Sequence, residues 1–152
     1  MSDNLIFRVL REPRITQSLS LTDWDLLIRQ GRRANLLGRL HALFFDSRII
    51  DSLPQSPALH LSSADALVQR QVTSIRWEIS CIAEALSTVN TEVILLKGAA
   101  YVMSNARAAQ GRTFSDVDVL VRKSQIANAE KALMIHGWHG SDHSAYDQRY
   151  YR

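Results

Sequence analysis

The longest regular pattern in the chain is a stripe of apolar residues whose intervals alternate between four and three. Its members are Val68, Val72, Ile75, Ile79, Ile82, Leu86 and Val89. This spacing places them on one face of an α-helix. Trp77 and Cys81 lie on roughly the opposite side, so we expect a long helix that is sandwiched between two layers. Cys81 is then a small core residue rather than a reactive thiol.

The residues before this helix also predict helices. The run "LTDWDLLIRQ" predicts a helix with Thr22 or Asp23 as N-cap and Trp24 on its apolar face. Beyond Gly31 the apolar residues point about half a turn away from that face, so two helices broken near Gly31 are expected. The stretch "DSLPQSPALHLSS" holds two of the three prolines and predicts a loop, after which Ser62 or Ser63 caps the long helix.

The character of the sequence changes after residue 90. "EVILL" is a short, continuous apolar run that predicts a buried strand, and "KGAAYVM" then predicts a turn and a helix. "FSDVDVLV" predicts a second strand, and "KSQIANAEKALMIHG" predicts a helix closed by Gly137. The inner side of that last helix is predicted to contain Ile126, Ala129, Leu133 and Met134.

These patterns predict an α/β (α+β) fold with two regions. An N-terminal helical bundle is expected over residues 1–90. A strand–helix–strand–helix core with a small mixed sheet is expected over residues 91–152. With 46% hydrophobic and 22% charged residues the composition is that of a globular protein. A single cysteine and the lack of any apolar run near the roughly 20 residues of a membrane span favour a cytoplasmic protein.

Two aspartates interrupt the second predicted strand. Side chains alternate along a strand, so Asp116 and Asp118 share one face, with Cα atoms roughly 6.6 Å apart, while the valines between and after them share the other. Two carboxylates on one face repel each other, and a bound Mg²⁺ or Mn²⁺ removes that penalty. The alternative is an edge strand with a solvated face and incidental acids.

A glycine turn lies upstream of the aspartates. Gly98 follows the first predicted strand and opens a helix, eighteen residues before Asp116. Glycine lets a backbone approach phosphate closely, and free N–H groups at the start of a helix favour anions. The order of strand, glycine turn, helix and acidic strand therefore predicts a phosphate site next to a metal site.

Three segments, "LLKGAAYVM", "GRTFSDVDVLV" and "AEKALMIHGW", together resemble the uncharacterised nucleotidyltransferase family of the DNA polymerase beta-like nucleotidyltransferase superfamily. The resemblance covers roughly residues 92 to 140. The positions that carry it are Lys97, Gly98, Arg112, Ser115, Asp116, Asp118, Gly137 and Trp138.

The resemblance implies metal-dependent transfer of a nucleoside monophosphate from an NTP to an acceptor. Asp116 and Asp118 would be the catalytic, Mg²⁺- or Mn²⁺-binding residues, and Gly98 would lie under the triphosphate. Ser115 would belong to the nucleotide site, and Lys97 and Arg112 would neutralise phosphate charge. For the two basic residues the alternative is simple surface solvation. The acceptor is left open among a protein hydroxyl, a nucleic acid end, a sugar and another small molecule.

The chain departs from the superfamily pattern at two points. Ala99 follows Gly98, where the superfamily usually has a small hydroxyl residue or a second glycine. No convincing third carboxylate follows Asp118, since the later acids are Glu130 in a predicted helix, Asp142 and Asp147. We therefore expect an N-terminal portion of a longer family member. The alternative function is a catalytically incomplete module of the same fold that binds nucleotides or proteins.

Other signals are weaker. His136, His139 and His143 are expected to be loop histidines, because Gly137 and Gly140 interrupt any helix through them. The basic cluster Arg29, Arg32 and Arg33 is expected to be the solvated side of a helix, although it also allows a third hypothesis, a small nucleic-acid binder. Tyr146 and Tyr150 are expected to begin an amphipathic helix. Pairing of a sheet edge with a second copy of the chain is possible.

Overall fold

The computed structural model describes residues 4–140, which are mostly helical and contain a small two-stranded sheet. The helices are α1 (Leu5–Arg11), α2 (Leu21–Arg33), α3 (Leu37–Asp46), α4 (Gln55–Ser87), α5 (Lys97–Met103) and α6 (Ile126–Ile135). The strands are β1 (Ile94–Leu95) and β2 (Val119–Leu120). In the described part of the chain, no helix is long and apolar enough to cross a membrane.

The chain forms two compact units that interleave along the sequence. Of the described residues, unit 1 contains 4–74 and 104–115, and unit 2 contains 75–103 and 116–140. Helix α4 supplies its first part to unit 1 and its remainder to unit 2. The division into regions 1–90 and 91–152 stays a prediction about domains.

Helix α2 begins earlier than predicted. The N-cap is Ser20, so the prediction of Thr22 or Asp23 was wrong. The Asp23 backbone N–H donates to the Ser20 hydroxyl (3.2 Å), and the Asp23 carboxylate accepts from the Ser20 backbone N–H (3.0 Å). Hydrogen bonds from the hydroxyl and then the N–H of Ser20 lower the pKa of Asp23.

The predicted break between two helices is confirmed, three residues beyond Gly31. Helix α2 ends at Arg33 and α3 starts at Leu37, and Asn35 between them takes a positive φ of 56°. The change of direction lets both apolar sets enter one core in unit 1, where Trp24 and Phe44 meet edge to face with ring centroids 6.1 Å apart. The fully buried large side chains of this core are Val9, Trp24, Leu27, Leu40, Phe44 and Leu61.

Helix α4 starts at Gln55, so the predicted loop over 51–63 and the predicted cap at Ser62 or Ser63 were wrong. Pro57 lies in the first turn, where its missing N–H costs no helical hydrogen bond. Both serine hydroxyls donate to the carbonyl of Leu59, at 3.1 Å from Ser62 and 2.8 Å from Ser63. Prolines at the start of a helix were thus interpreted as a sign of a loop.

The apolar stripe of α4 is confirmed as a buried face. A second layer on the opposite side of the helix is not confirmed. Five members of the stripe are buried, namely Val68, Ile75, Ile79, Ile82 and Leu86. Trp77 is 71% exposed, so the prediction of a helix sandwiched between two layers was wrong. Cys81 is half-buried.

Residues 104–115 pack against the α2–α3 region within unit 1. The Arg39 guanidinium donates to the carbonyl oxygens of Arg107 (3.1 Å) and Gln110 (3.3 Å). Gly111 has a positive φ of 65°, and its backbone lies directly against that of Gly38. A Cβ added to Gly38 would lie 2.7 Å from the Gly111 carbonyl oxygen, so the two glycines allow a contact that larger residues would prevent.

In unit 2 the two strands are antiparallel, with Ile94 opposite Leu120 and Leu95 opposite Val119. The sheet of the described residues is therefore antiparallel rather than mixed, and its strands are shorter than the predicted 92–96 and 114–121. Ile94 is 60% exposed, which contradicts the predicted burial of the first strand. Pairing stops because Lys97, with a positive φ of 46°, turns the chain into α5.

The predicted valine face of the second strand is confirmed. Val117, Val119 and Val121 pack against a core of Ile82, Leu86 and Ala129. Ala129 and Ala132 of α6 are buried and Leu133 packs partly, whereas Met134 is 60% exposed and was wrongly predicted to be inside. The predicted closure of α6 is confirmed: Gly137 has a φ of 98°, and the Trp138 N–H donates to the Leu133 carbonyl oxygen (3.1 Å).

Candidate functional site

The two aspartates lie in unit 2, in the segment that leads directly into β2. Asp116 is exposed and the Asp118 side chain is 29% exposed, while Val117 between them packs against the core. They therefore precede the regular strand instead of lying within it. The alternation that the sequence predicted is kept, because an apolar residue is inside and the acids on either side of it are accessible.

The ammonium group of Lys97 lies 3.1 Å from a carboxylate oxygen (Oδ2) of Asp118. The backbone explains the contact: the Leu96 N–H donates to the Asp118 carbonyl oxygen (2.9 Å), which extends the β1–β2 pairing by one residue. Lys97 is the next residue, and its side chain is 63% exposed. The sequence suggested both residues separately, but their contact depends on an antiparallel register that it did not specify.

The backbone at Lys97 is unusual for a residue with a side chain. A positive φ costs such a residue on the order of 1 kcal/mol, and residues of this kind cluster at functional sites. Gly98 and Ala99 follow in the first turn of α5 and are buried. Contact between Gly98 and a triphosphate stays a prediction.

Arg112 and Ser115, the other two predicted nucleotide-binding residues, belong to unit 1. The Arg112 guanidinium carbon lies 5.2 Å from the centroid of the Phe114 ring, a cation–π geometry. The Phe114 N–H donates to the side-chain oxygen of Gln71 (3.1 Å), which fixes this part of the chain on α4. Ser115 is exposed and immediately precedes Asp116 in the chain.

The donor chemistry at Asp116 and Asp118 fits a hard divalent cation. Carboxylate oxygens are the ligands that Mg²⁺ prefers, and this ion is commonly held by one or two carboxylates while water and substrate phosphates supply the rest. Within residues 4–140 there is no group of three or more His, Cys, Asp or Glu side chains that could hold a metal. Asp116 and Asp118 thus offer a metal ion two protein ligands, their side-chain carboxylates.

Among residues 4–140, no other acid or histidine joins this pair to form a group of three that could hold a metal. Glu130 lies in α6, as predicted, while Asp142, Asp147, His143 and the two tyrosines at 146 and 150 lie outside the described residues. His136 is in the turn after α6, with Nδ1 2.8 Å from the Ala132 carbonyl oxygen. His139 follows Gly137 outside any helix, which confirms both as loop residues.

A family model described as "Uncharacterised nucleotidyltransferase" matches residues 20–152. The chain belongs to this family. The resemblance that the sequence suggested over residues 92 to 140 is confirmed, and it extends through most of the helical region as well. The aspartates, Lys97, Gly98, Arg112 and Ser115 all lie inside the matched range. Comparisons with curated proteins and with solved structures gave no match.

Proposed function

We propose that this member of the uncharacterised nucleotidyltransferase family transfers a nucleoside monophosphate from an NTP to an acceptor hydroxyl in a metal-dependent reaction. The observation that carries the proposal is the arrangement of Asp116, Asp118 and Lys97 in unit 2 of a chain that belongs to this family. Two accessible carboxylates and a neighbouring ammonium group are suited to a metal-bound triphosphate.

Asp116 and Asp118 would hold Mg²⁺ or Mn²⁺. The bound ion would neutralise charge on the triphosphate and polarise its α-phosphoryl group. Lys97 would bind a phosphate oxygen as a point charge. Roles for Arg112 and Ser115 in binding the nucleotide stay predictions from the resemblance. In the reaction the acceptor oxygen forms a bond to the α-phosphorus, the bond to the β-phosphate oxygen breaks, and pyrophosphate leaves. The acceptor proton passes to bulk water.

The proposal is tested with NTPs labelled at the α-phosphate. Each NTP is incubated with the protein, Mg²⁺ or Mn²⁺, and acceptors of each class: the protein itself, RNA and DNA ends, sugars and other small hydroxyl compounds. We expect metal-dependent labelling of one class with release of pyrophosphate, and at least about a thousandfold less with Asp116→Asn/Asp118→Asn, since removal of an essential electrostatic group commonly costs this much. Equal labelling by the double variant would refute the assignment.

A second candidate is a non-catalytic module that binds metal–NTP without transfer. It is favoured because the described residues bring two carboxylates to this site and no third one. Calorimetric titration separates the two functions. Mg²⁺-dependent NTP binding that is lost in the double variant, with no acceptor labelled, supports the module.

The Lys97–Asp118 ion pair predicts competition between Lys97 and the metal. Without metal, the ammonium group partly neutralises the carboxylate, so it must leave or share Asp118 when a cation binds. We expect Lys97→Met to bind Mn²⁺ alone several-fold more tightly than wild type, because an opposing positive charge is gone. The same variant should bind Mn²⁺–NTP more weakly, because a phosphate contact is lost. Paramagnetic resonance of free Mn²⁺ measures the first effect, and Mn²⁺ affinity equal to or below wild type contradicts it.

A further inference from the structure

A cavity lies within unit 1, and neither aspartate lines it. It has a volume of about 300 Å³ and is bounded by the α2–α3 connection, the first part of α4 and the segment around Gly111. This volume is at the lower end of the range of small-molecule sites. The residues used below are Arg32, Asn35, His60, Leu67, Val68 and Thr113, all of which line it.

The charged side of this cavity is positive. Nη2 of Arg32 lies 3.4 Å from Nδ1 of His60, and since a guanidinium can only donate, the histidine nitrogen accepts. A histidine that accepts at Nδ1 has its ring proton on Nε2, and in that tautomer His60 offers a second donor. No carboxylate is among the lining residues, and no described carboxylate forms an ion pair with Arg32. Arg29, one turn earlier, differs because its guanidinium is paired with Asp25 at 2.8 Å.

Two further lining residues form a neutral polar pair. Asn35 has a positive φ of 56°, and its Nδ2 donates to the Thr113 hydroxyl (2.7 Å). The Thr113 hydroxyl thereby serves as an acceptor and retains its own proton for donation. Leu67 and Val68 of α4 provide an apolar wall. A cationic side chain, a neutral polar pair and aliphatic side chains thus line one space.

We propose that this cavity binds a small organic anion, a phosphate or carboxylate attached to a compact apolar body. Arg32 and Nε2–H of His60 bind the anionic group through charge-assisted hydrogen bonds, and the body packs on Leu67 and Val68. This site goes beyond the proposed transfer reaction, and it involves neither Asp116 nor Asp118.

The test is calorimetric titration, without metal or NTP, of four probes that separate the features of the ligand. 1-Naphthyl phosphate and 1-naphthoate carry the two anionic groups, 1-naphthol is the neutral counterpart, and inorganic phosphate lacks the apolar body. We expect saturable binding of one of the two naphthyl anions, with the naphthol and inorganic phosphate at least about tenfold weaker. Which naphthyl anion binds more tightly distinguishes a phosphate ligand from a carboxylate ligand.

Arg32→Gln should weaken that binding about tenfold or more, because it removes a charge-assisted contact. Arg29→Gln is the matched control: it removes the same charge from the same helix outside the cavity and should change the affinity less than about twofold. Ala64→Leu, which fills the cavity from α4, should weaken binding in protein whose melting is unchanged. Absence of saturable binding, or equal losses in the Arg29 and Arg32 variants, would overturn the proposal.

Discussion

Gly111→Ala is expected to lower the free energy of unfolding by about 3 kcal/mol. The new Cβ would overlap the carbonyl group of Gly38, and these are backbone atoms that cannot rotate away. Overpacking of this kind typically costs about 1–3 kcal/mol, and an alanine at a positive φ adds about 1 kcal/mol. Urea unfolding followed by far-UV circular dichroism measures the loss.

Three further variants separate the overlap from the cost of the backbone conformation. Gly111→Asn should recover little stability, because asparagine tolerates a positive φ but carries the same Cβ. Gly137→Ala places alanine at a φ of 98° with no atom within 4 Å of its Cβ, so it should cost only about 1 kcal/mol. Gly140→Ala, which is also open, should be nearly neutral. If Gly111→Ala costs no more than Gly137→Ala, the close contact with Gly38 contributes nothing.

Asp118→Asn is expected to weaken Mg²⁺-dependent NTP binding by about a hundredfold while leaving the fold intact. The ion pair with Lys97 is too exposed to matter greatly for stability, since exposed pairs contribute about 0–1 kcal/mol. A metal ligand, in contrast, must be anionic, and asparagine removes that charge while keeping the shape. Calorimetry with and without Mg²⁺ measures the binding, and thermal melting measures the stability.

The matched control for this variant is Glu92→Gln. Glu92 forms another exposed ion pair in unit 2, 2.6 Å from Arg122, and loses the same charge on substitution. Its NTP binding should equal that of wild type, and its melting should match that of Asp118→Asn. Equal loss of binding in both variants would show that net charge rather than a defined metal site controls the affinity.

Periodicity predicted the helices well where it was unambiguous. The stripe of α4 and the break after α2 follow from which face each apolar residue must occupy, and burial alone decides that. The start of α4 was missed because Pro57 is compatible with a first helical turn as well as with a loop. The strands were predicted too long because "EVILL" is apolar enough for pairing, whereas the positive φ at Lys97 that ends the pairing is uncommon for a lysine and has no signature in the sequence.

For the candidate site, the sequence indicated which residues could take part, but it did not indicate which of them are in contact in the fold. Two carboxylates one residue apart carry their own chemical argument, so Asp116 and Asp118 could be chosen without a structure. The contact of Lys97 with Asp118 required the strand register. The assignment of Arg112 and Ser115 to unit 1 required knowing where the chain changes units, and no local pattern of residues reports that. The cavity at Arg32 likewise depends on residues that are distant in the sequence. Arg32 and His60 are 28 positions apart, and Asn35 and Thr113 are 78 positions apart.

The return of residues 104–115 to unit 1 has a consequence for how the protein folds during synthesis. Asn35 and Arg39 emerge from the ribosome long before their partners Thr113, Arg107 and Gln110. Unit 1 therefore cannot close until the chain has been made to about residue 115, by which time α4 and α5 have already been translated. Such long-range closure is slow compared with helix formation. The nascent chain passes through a period in which the surface around Gly38 is uncovered, and it is then that chaperones would have most to bind.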